Sequence, residues 1–241
     1  MIKLINLTKD FKTTLAVNRL NLEVAAGEIY GFIGPNGAGK TTTIRMMGGI
    51  IEPTDGKILI GGIDVSRDPV GAKKIIGFVP DRPFLYEKLT GMEFLKFIAD
   101  LYRVDLRVFS RRAPELLERF ALWQWKDEIV EAYSHGMKQR LIIAAALLHD
   151  PRVMVIDEPM VGLDPEAVRM VRDILKGLAR QNVTIFVSTH TLSLAEDLCD
   201  RIGVIHKGTL LAQGTVAELN LAAKTGEARL EEVFLTLVRE L

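Results

Sequence analysis

Cysteine is almost absent from this 241-residue sequence: Cys199 stands alone, so no disulfide can form within the chain and a reducing compartment is expected. Long apolar runs are missing too. The longest, Leu141 to Leu148, has eight residues, far short of the roughly 20 that a helical membrane span needs. The opening stretch MIKLINLTKD holds no apolar run of the length a signal peptide requires. Nor is there an excess of charge: 31 basic residues balance 31 acidic ones. That balance argues against a nucleic-acid groove or an anionic membrane surface as the main partner. A membrane role would require a partner chain.

What is present is enough apolar material for a core, 48% of residues. Short β-branched runs alternate with longer helical patterns, which predicts an α/β fold with a largely parallel sheet. Ile29 to Ile33 and Ile75 to Val79 read as strands, with a helix over Thr42 to Met47 after the first. Val153 to Ile156 and Val183 to Val187 are continuous apolar strands, the kind buried on both faces of a parallel sheet. Leu20 to Val24 and Lys57 to Ile60 read as strands of a smaller antiparallel sheet, with turn chemistry at Pro53 to Gly56. Gly203 to His206 and Thr209 to Gln213 read as a hairpin turning at Lys207-Gly208. From about Thr90 to Leu148 glycine is scarce and the apolar spacing becomes helical, which predicts a helical insertion. The amphipathic stretch Leu230 to Leu241 predicts a C-terminal helix.

Between the first central strand and its helix lies GPNGAGKT, Gly34 to Thr41, which fits G-x-x-x-x-G-K-[ST]. A phosphate needs close backbone approach and several N–H groups aimed at one point, and a helix N-terminus adds partial positive charge. In such a loop Lys40 reaches the β and γ phosphates and the Thr41 hydroxyl ligates Mg²⁺. A second motif, VMVIDE over Val153 to Glu158, ends an apolar strand in two carboxylates. Neighbouring strand residues face opposite ways, so the two acids can do different work. Asp157 suits a place behind the waters of Mg²⁺. Glu158 could polarise a water against the γ phosphate, or one of the acids could cap a helix.

The remaining motifs narrow the reading. VGLDP follows at Val161 to Pro165, STH ends the next strand at His190, and YSHGM, Tyr133 to Met137, precedes the acidic pair by about twenty residues. Together these motifs resemble the ATP-binding subunit of an ABC transporter, over almost the whole chain. The resemblance implies a P-loop ATPase core over 1–89 and 149–215 that includes an antiparallel part. It also implies a helical subdomain over 90–148 and a C-terminal helical segment over 216–241. It implies ATP and Mg²⁺ as ligands, a second ATPase subunit packed head to tail, and integral membrane permease subunits as partners. No nucleic-acid partner is expected, and the location implied is cytoplasmic, on the inner face of the membrane. Phe11 would stack on adenine, with Val17 nearby, or be an ordinary core residue. Gly34, Pro35, Asn36, Gly37, Ala38 and Gly39, followed by Lys40, Thr41 and Thr42, would hold the phosphates. Ser134 and Gly136 would cradle the γ phosphate bound to the partner. Asp164 would couple the two sites, besides suiting a helix cap before Pro165, and His190 would contact the γ phosphate.

Two positions depart from the family pattern. The usual Gln after the third central strand is Asp81 here, which could meet Mg²⁺ directly or through water or be a turn residue in DRP. In the common signature L-S-G-G-Q the second Gly stays, while His135 and Met137 replace the first Gly and the Gln. An acid at 81 with this signature is reminiscent of exporter-type, drug-resistance-like members. His135 could donate to the phosphate or face solvent. Phe84, Leu85 and Tyr86 are either a surface for the membrane subunit or core. The rival readings are an ABC-type ATPase acting on nucleic acid or the ribosome, a P-loop kinase, and a nucleotide-gated regulator without turnover. The first fits poorly with 241 residues and neutral charge, the second leaves the signature unexplained, and Glu158 argues against the third.

Overall fold

The computed structural model describes every residue except Pro83, Lys224, Glu227, Glu240 and Leu241, and for Arg239 the backbone only. Two sheets organise the chain. A four-stranded antiparallel sheet takes β1 (Ile2–Asp10), β2 (Leu15–Val24), β4 (Asp55–Ile60) and β5 (Ile63–Asp64), in the order β2-β1-β4-β5. A six-stranded sheet takes β3 (Ile29–Ile33), β6 (Ile76–Val79), β7 (Val153–Asp157), β8 (Thr184–Thr189), β9 (Arg201–His206) and β10 (Thr209–Gly214). Its order is β10-β9-β3-β8-β7-β6, parallel throughout except for the antiparallel edge strand β10.

Every residue of β3, β7 and β8 is buried, as expected of strands covered on both faces. Helices supply the cover. They are α1 (Lys40–Met47), α2 (Pro69–Ile75), α3 (Gly91–Leu101), α4 (Leu106–Arg119), α5 (His135–Leu147), α6 (Pro165–Arg180) and α7 (Leu192–Leu198), with α8 (Val216–Ala223) and α9 (Leu230–Arg239) after the last strand. One cluster of buried side chains joins α3, α4 and α5 to the parallel sheet through Phe94, Leu117, Phe120, Leu141 and Ile156. A second joins the antiparallel sheet to α1 and the other face of β3 and β8, through Leu20, Ile58, Phe32 and Phe186.

Local chemistry sets several boundaries. At α3, Thr90 Oγ1 accepts from Glu93 N at 3.1 Å while the Glu93 carboxylate accepts from Thr90 N at 2.8 Å, a reciprocal cap. Asp68 caps α2 and is followed by Pro69 at the first helical position. That short helix displaces the expected start of β6: Ile75 closes α2 rather than opening the strand. The C-terminal stretch forms two helices, and the last two residues of the expected helix, 240 and 241, lie outside the described residues. Among the described residues no helix is long and apolar enough to cross a membrane.

Candidate active site

The phosphate loop runs from the end of β3 into α1. Gly39 stands just before α1 at φ 106°, a region only glycine enters without strain, and a Cβ there would strike the carbonyl oxygen of Ala16. The loop is held from the side by the β9–β10 turn. Gly208 N donates to Ala38 O at 2.9 Å, and Asn18 N donates to Gly208 O at 2.8 Å. Lys40 is buried and folds back over its own loop, donating to the carbonyls of Gly34 at 2.6 Å and Pro35 at 3.2 Å. Burial lowers its pKa, and Glu158 and Asp157 act against that.

Asp157 ends β7 and is buried, at 2% exposure. Its carboxylate accepts from Ser188 Oγ of the neighbouring strand at 2.6 Å. Burial raises its pKa, the bonds from Ser188 and Thr41 lower it, and the negative charges of Asp81 and Glu158 raise it further. The Thr41 hydroxyl bonds to Asp157, and the charges of Asp81 and Glu158 are felt there. Among the described residues no three acidic, His or Cys side chains close into a metal cluster by themselves, so a divalent cation would need the phosphate and water oxygens besides Thr41 and these acids. This oxygen-rich set fits a hard cation such as Mg²⁺.

Glu158 does not continue the strand. Its φ is 53°, and its N–H still reaches Ser188 O at 2.9 Å. The left-handed turn directs its carboxylate at the end of β8. Oε2 accepts from Thr189 Oγ1 at 3.0 Å, while Oε1 accepts from His190 N at 3.0 Å and lies 2.7 Å from His190 Nδ1. A carboxylate partner assigns the proton to Nδ1. Neither acid caps a helix, because a turn follows and the next helix begins at Pro165.

A cavity of about 720 Å³ gathers these groups. From the loop it takes Asn36, Gly37, Ala38, Gly39, Lys40, Thr41 and Thr42; from the strand ends it takes Asp81, Asp157, Glu158 and His190. Phe11 lines its outer part, 49% exposed, with Lys9 Nζ 5.1 Å from its ring centroid. Gly34 and Pro35 lie behind the loop and act through their carbonyls on Lys40. Val17 is not brought there: its side chain is fully buried in the core beneath the antiparallel sheet, and Thr14, Leu15 and Ala16 line the cavity in its place. Val161, the first residue of VGLDP, and Lys207 also line it, and neither was singled out for the site from the sequence. Lys207 was legible only as a hairpin turn.

Ser134, Gly136 and Asp164 are absent from this cavity. Ser134 caps α5, its Oγ accepting from Met137 N at 3.2 Å. Asp164 caps α6, accepting from Ala167 N at 2.8 Å. On the other side of Asp81 lies a second, more apolar cavity of about 890 Å³. Phe84 is 79% exposed there, edge-on to Tyr86 at 5.3 Å, and Tyr86 is edge-on to Phe97 of α3 at 4.8 Å. Leu85, by contrast, packs against the core. His149 stacks on Tyr102 at 3.8 Å and lies 3.0 Å from Ile76 O, a structural placement.

Comparison with known proteins gives consistent results. The family model described as ABC transporter matches residues 17–161. The bacitracin transport ATP-binding protein BcrA of Bacillus licheniformis is 42% identical over 88% of this chain and 69% of its own length. Among solved structures, an ATP-binding subunit of an ABC transporter superimposes with TM-score 0.93 at 32% identity, covering 99% of each chain. The dimeric post-hydrolysis structure of the ATP-binding cassette MJ0796, bound to ADP and Pi, superimposes with TM-score 0.82 at 29% identity, over 90% of this chain and 99% of that one.

Proposed function

We propose a transport role for this chain, which belongs to the ABC transporter family of ATP-binding proteins: it hydrolyses ATP to drive a solute through separate membrane-spanning subunits. The observation that carries the reading is the convergence of Lys40, Thr41, Asp157, Glu158 and His190 on one cavity. Each has work to do there. Phe11 offers an exposed ring for the base to stack on. Loop N–H groups and the start of α1 receive the phosphates, and Lys40 exchanges its two carbonyl partners for phosphate oxygens. Thr41, Asp157 and Asp81 would hold Mg²⁺, and the ion would neutralise phosphate charge when bound.

Glu158 is the general base. Three donors occupy its carboxylate, and two oxygens offer about four acceptor positions, so one remains for the attacking water. His190 holds that carboxylate in place. With Nδ1 engaged by Glu158, Nε2 is the ring atom left to face the γ phosphate.

The site is completed by a second ATPase subunit placed head to tail. Ser134 accepts a bond as a helix cap, which leaves its own hydroxyl proton free to donate to a phosphate. Gly136 N lies in the first turn of α5, where N–H groups have no helical partner. Closure of the two cavities on ATP and reopening after hydrolysis would supply the power stroke. The aromatic groove at Phe84, Tyr86 and Phe97 receives a segment of the membrane subunit, since exposed aromatic clusters mark partner surfaces. The chain then sits on the inner face of the membrane through that subunit. The likeness to a bacitracin transport protein favours export of an antibiotic-like compound.

The test is Glu158→Gln. Steady-state hydrolysis falls at least about 100-fold, the range for loss of a general base, while ATP still binds. An ATP-dependent dimer accumulates on a sizing column. Wild-type turnover in this variant would remove Glu158 from the role of base.

A further inference from the structure

His135 stands where the common signature has glycine, and the proposed catalytic cycle leaves it without a task. The structure gives it a specific neighbour. Its ring lies over Gly162, in the loop that joins Glu158 to the α6 cap Asp164: a Cβ built on Gly162 would overlap the ring and come 2.6 Å from Nε2. Gly162 has φ 75°, so glycine is needed there for the backbone as well as for the ring.

The same face of α5 grips this loop at two more points. A Cβ on Gly136 would meet Gly162 O at 3.3 Å and Leu163 Cδ2 at 3.5 Å. Gln139, buried at 4% exposure, reaches Pro159 O with Nε2 at 3.4 Å. Gln139 lies one helical turn beyond both His135 and Gly136, at i+4 and i+3. Together they bind the segment that starts at the base Glu158 and ends at the helix cap Asp164. His135 also borders the open aromatic groove, so it stands between that groove and Gly162. With glycine at 135, the space above Gly162 would be empty and the loop held by two points instead of three.

We infer that His135 is a positioning residue: its ring packs on Gly162 and holds the 159–163 loop, and through it Glu158, in the catalytic arrangement. The inference rests on Glu158 being the base. It assigns the imidazole a packing role and not a phosphate contact, so it predicts a change in kcat rather than in KM.

Four variants test it by steady-state ATPase with Mg²⁺ and ATP: His135→Gly, His135→Phe, Gly162→Ala and the double variant His135→Gly/Gly162→Ala. His135→Gly is expected to lower kcat about fivefold and to leave KM for ATP within twofold, because the ring is packed on Gly162 while Ser134 and Gly136 keep the proposed phosphate contact. His135→Phe, which keeps a flat ring over Gly162, retains most of the wild-type kcat. Gly162→Ala lowers kcat at least as far by driving the ring away. Adding His135→Gly to it lowers kcat less than twofold further, because the contact is already lost. A loss in KM with kcat unchanged would overturn the inference, as would fully multiplicative effects in the double variant. So would a Phe variant as poor as the Gly variant, which would point to a hydrogen bond from the imidazole. A wild type without ATPase, or one indifferent to Glu158→Gln, would instead remove the functional reading beneath it.

Discussion

Asp157→Asn should make the ligand-free protein more stable while taking away its use of Mg²⁺. Asp157 is buried, and burial raises its pKa, with Asp81 and Glu158 adding repulsion. A carboxyl whose folded pKa is raised binds its proton more tightly in the fold than in the unfolded chain. Its charge therefore weakens the fold as pH climbs from the ordinary carboxylate value through the raised one, and the loss is complete above that. Asparagine removes this slope. The cost is small: the Ser188 hydroxyl at 2.6 Å can still donate to the amide oxygen. Replacing a charged acceptor by a neutral one loses about 1 kcal/mol. Relief of a desolvation penalty of several kcal/mol per buried ion works the other way. A net gain of about 1–2 kcal/mol raises Tm by about 2–8 °C for a chain of this size. The assay is thermal unfolding in EDTA at pH 8 and at steps down into the ordinary carboxylate range, about pH 4. The variant's advantage should be largest at pH 8 and shrink as pH falls into that range. With Mg²⁺ and ATP in excess the order should reverse, because a ligand that binds only the folded state adds stability to the wild type. A variant no more stable than wild type at pH 8, or an advantage independent of pH, would refute the argument that this charge is held at a cost.

Two further outcomes are expected of the site. Gly39→Ala forces a Cβ onto Ala16 O at a φ of 106°; a strained residue costs about 1–3 kcal/mol, so ATP affinity measured by calorimetry should fall at least about tenfold with little change in Tm beyond a few degrees. Asp81→Gln removes one carboxylate from the cluster around Asp157, and the Mg²⁺ dependence of ATPase should become shallower than in wild type; identical titrations would place Asp81 outside the metal's reach.

Much of the frame was legible because its signals are local. β3, β7 and β8 are unbroken apolar runs, and the phosphate loop is one continuous motif between a strand and a helix. β1 was not foreseen. Its residues IKLINLTKD alternate only in part, and its pairing comes from β2 and β4, the second about fifty residues away. Seven-residue α2, with an internal glycine, has too short a period to register. Val17, expected near the base, has its side chain in the core instead of on the cavity wall. On β2 successive side chains face opposite ways, so Ala16 turns to the cavity and Val17 to the core. The contact between His135 and Gly162 spans 27 positions of sequence, and no spacing rule connects them; it exists because α5 packs beside the segment that leaves β7.

Sheet order explains why motifs so distant in sequence meet. In the parallel sheet β3, β8, β7 and β6 are consecutive neighbours. Their register aligns Ile33 with Thr189, Asp157 with Ser188, and Val79 with Ile156. All four strands therefore end at one level, about 4.8 Å apart. Each end leads directly into a functional group: the phosphate loop after β3, His190 after β8, Glu158 after β7 and Asp81 after β6. Open parallel sheets bind ligands at such carboxyl ends. The hydrogen bonds from Ser188 and Thr189 to the two acids run between adjacent strand ends, so the ladder itself sets the distance from Glu158 to His190. The signature residues have no such anchor. They sit at the start of α5, outside the cavity, so the phosphate contact proposed for Ser134 and Gly136 requires a second subunit, whereas the Glu158–His190 pair is complete in one chain.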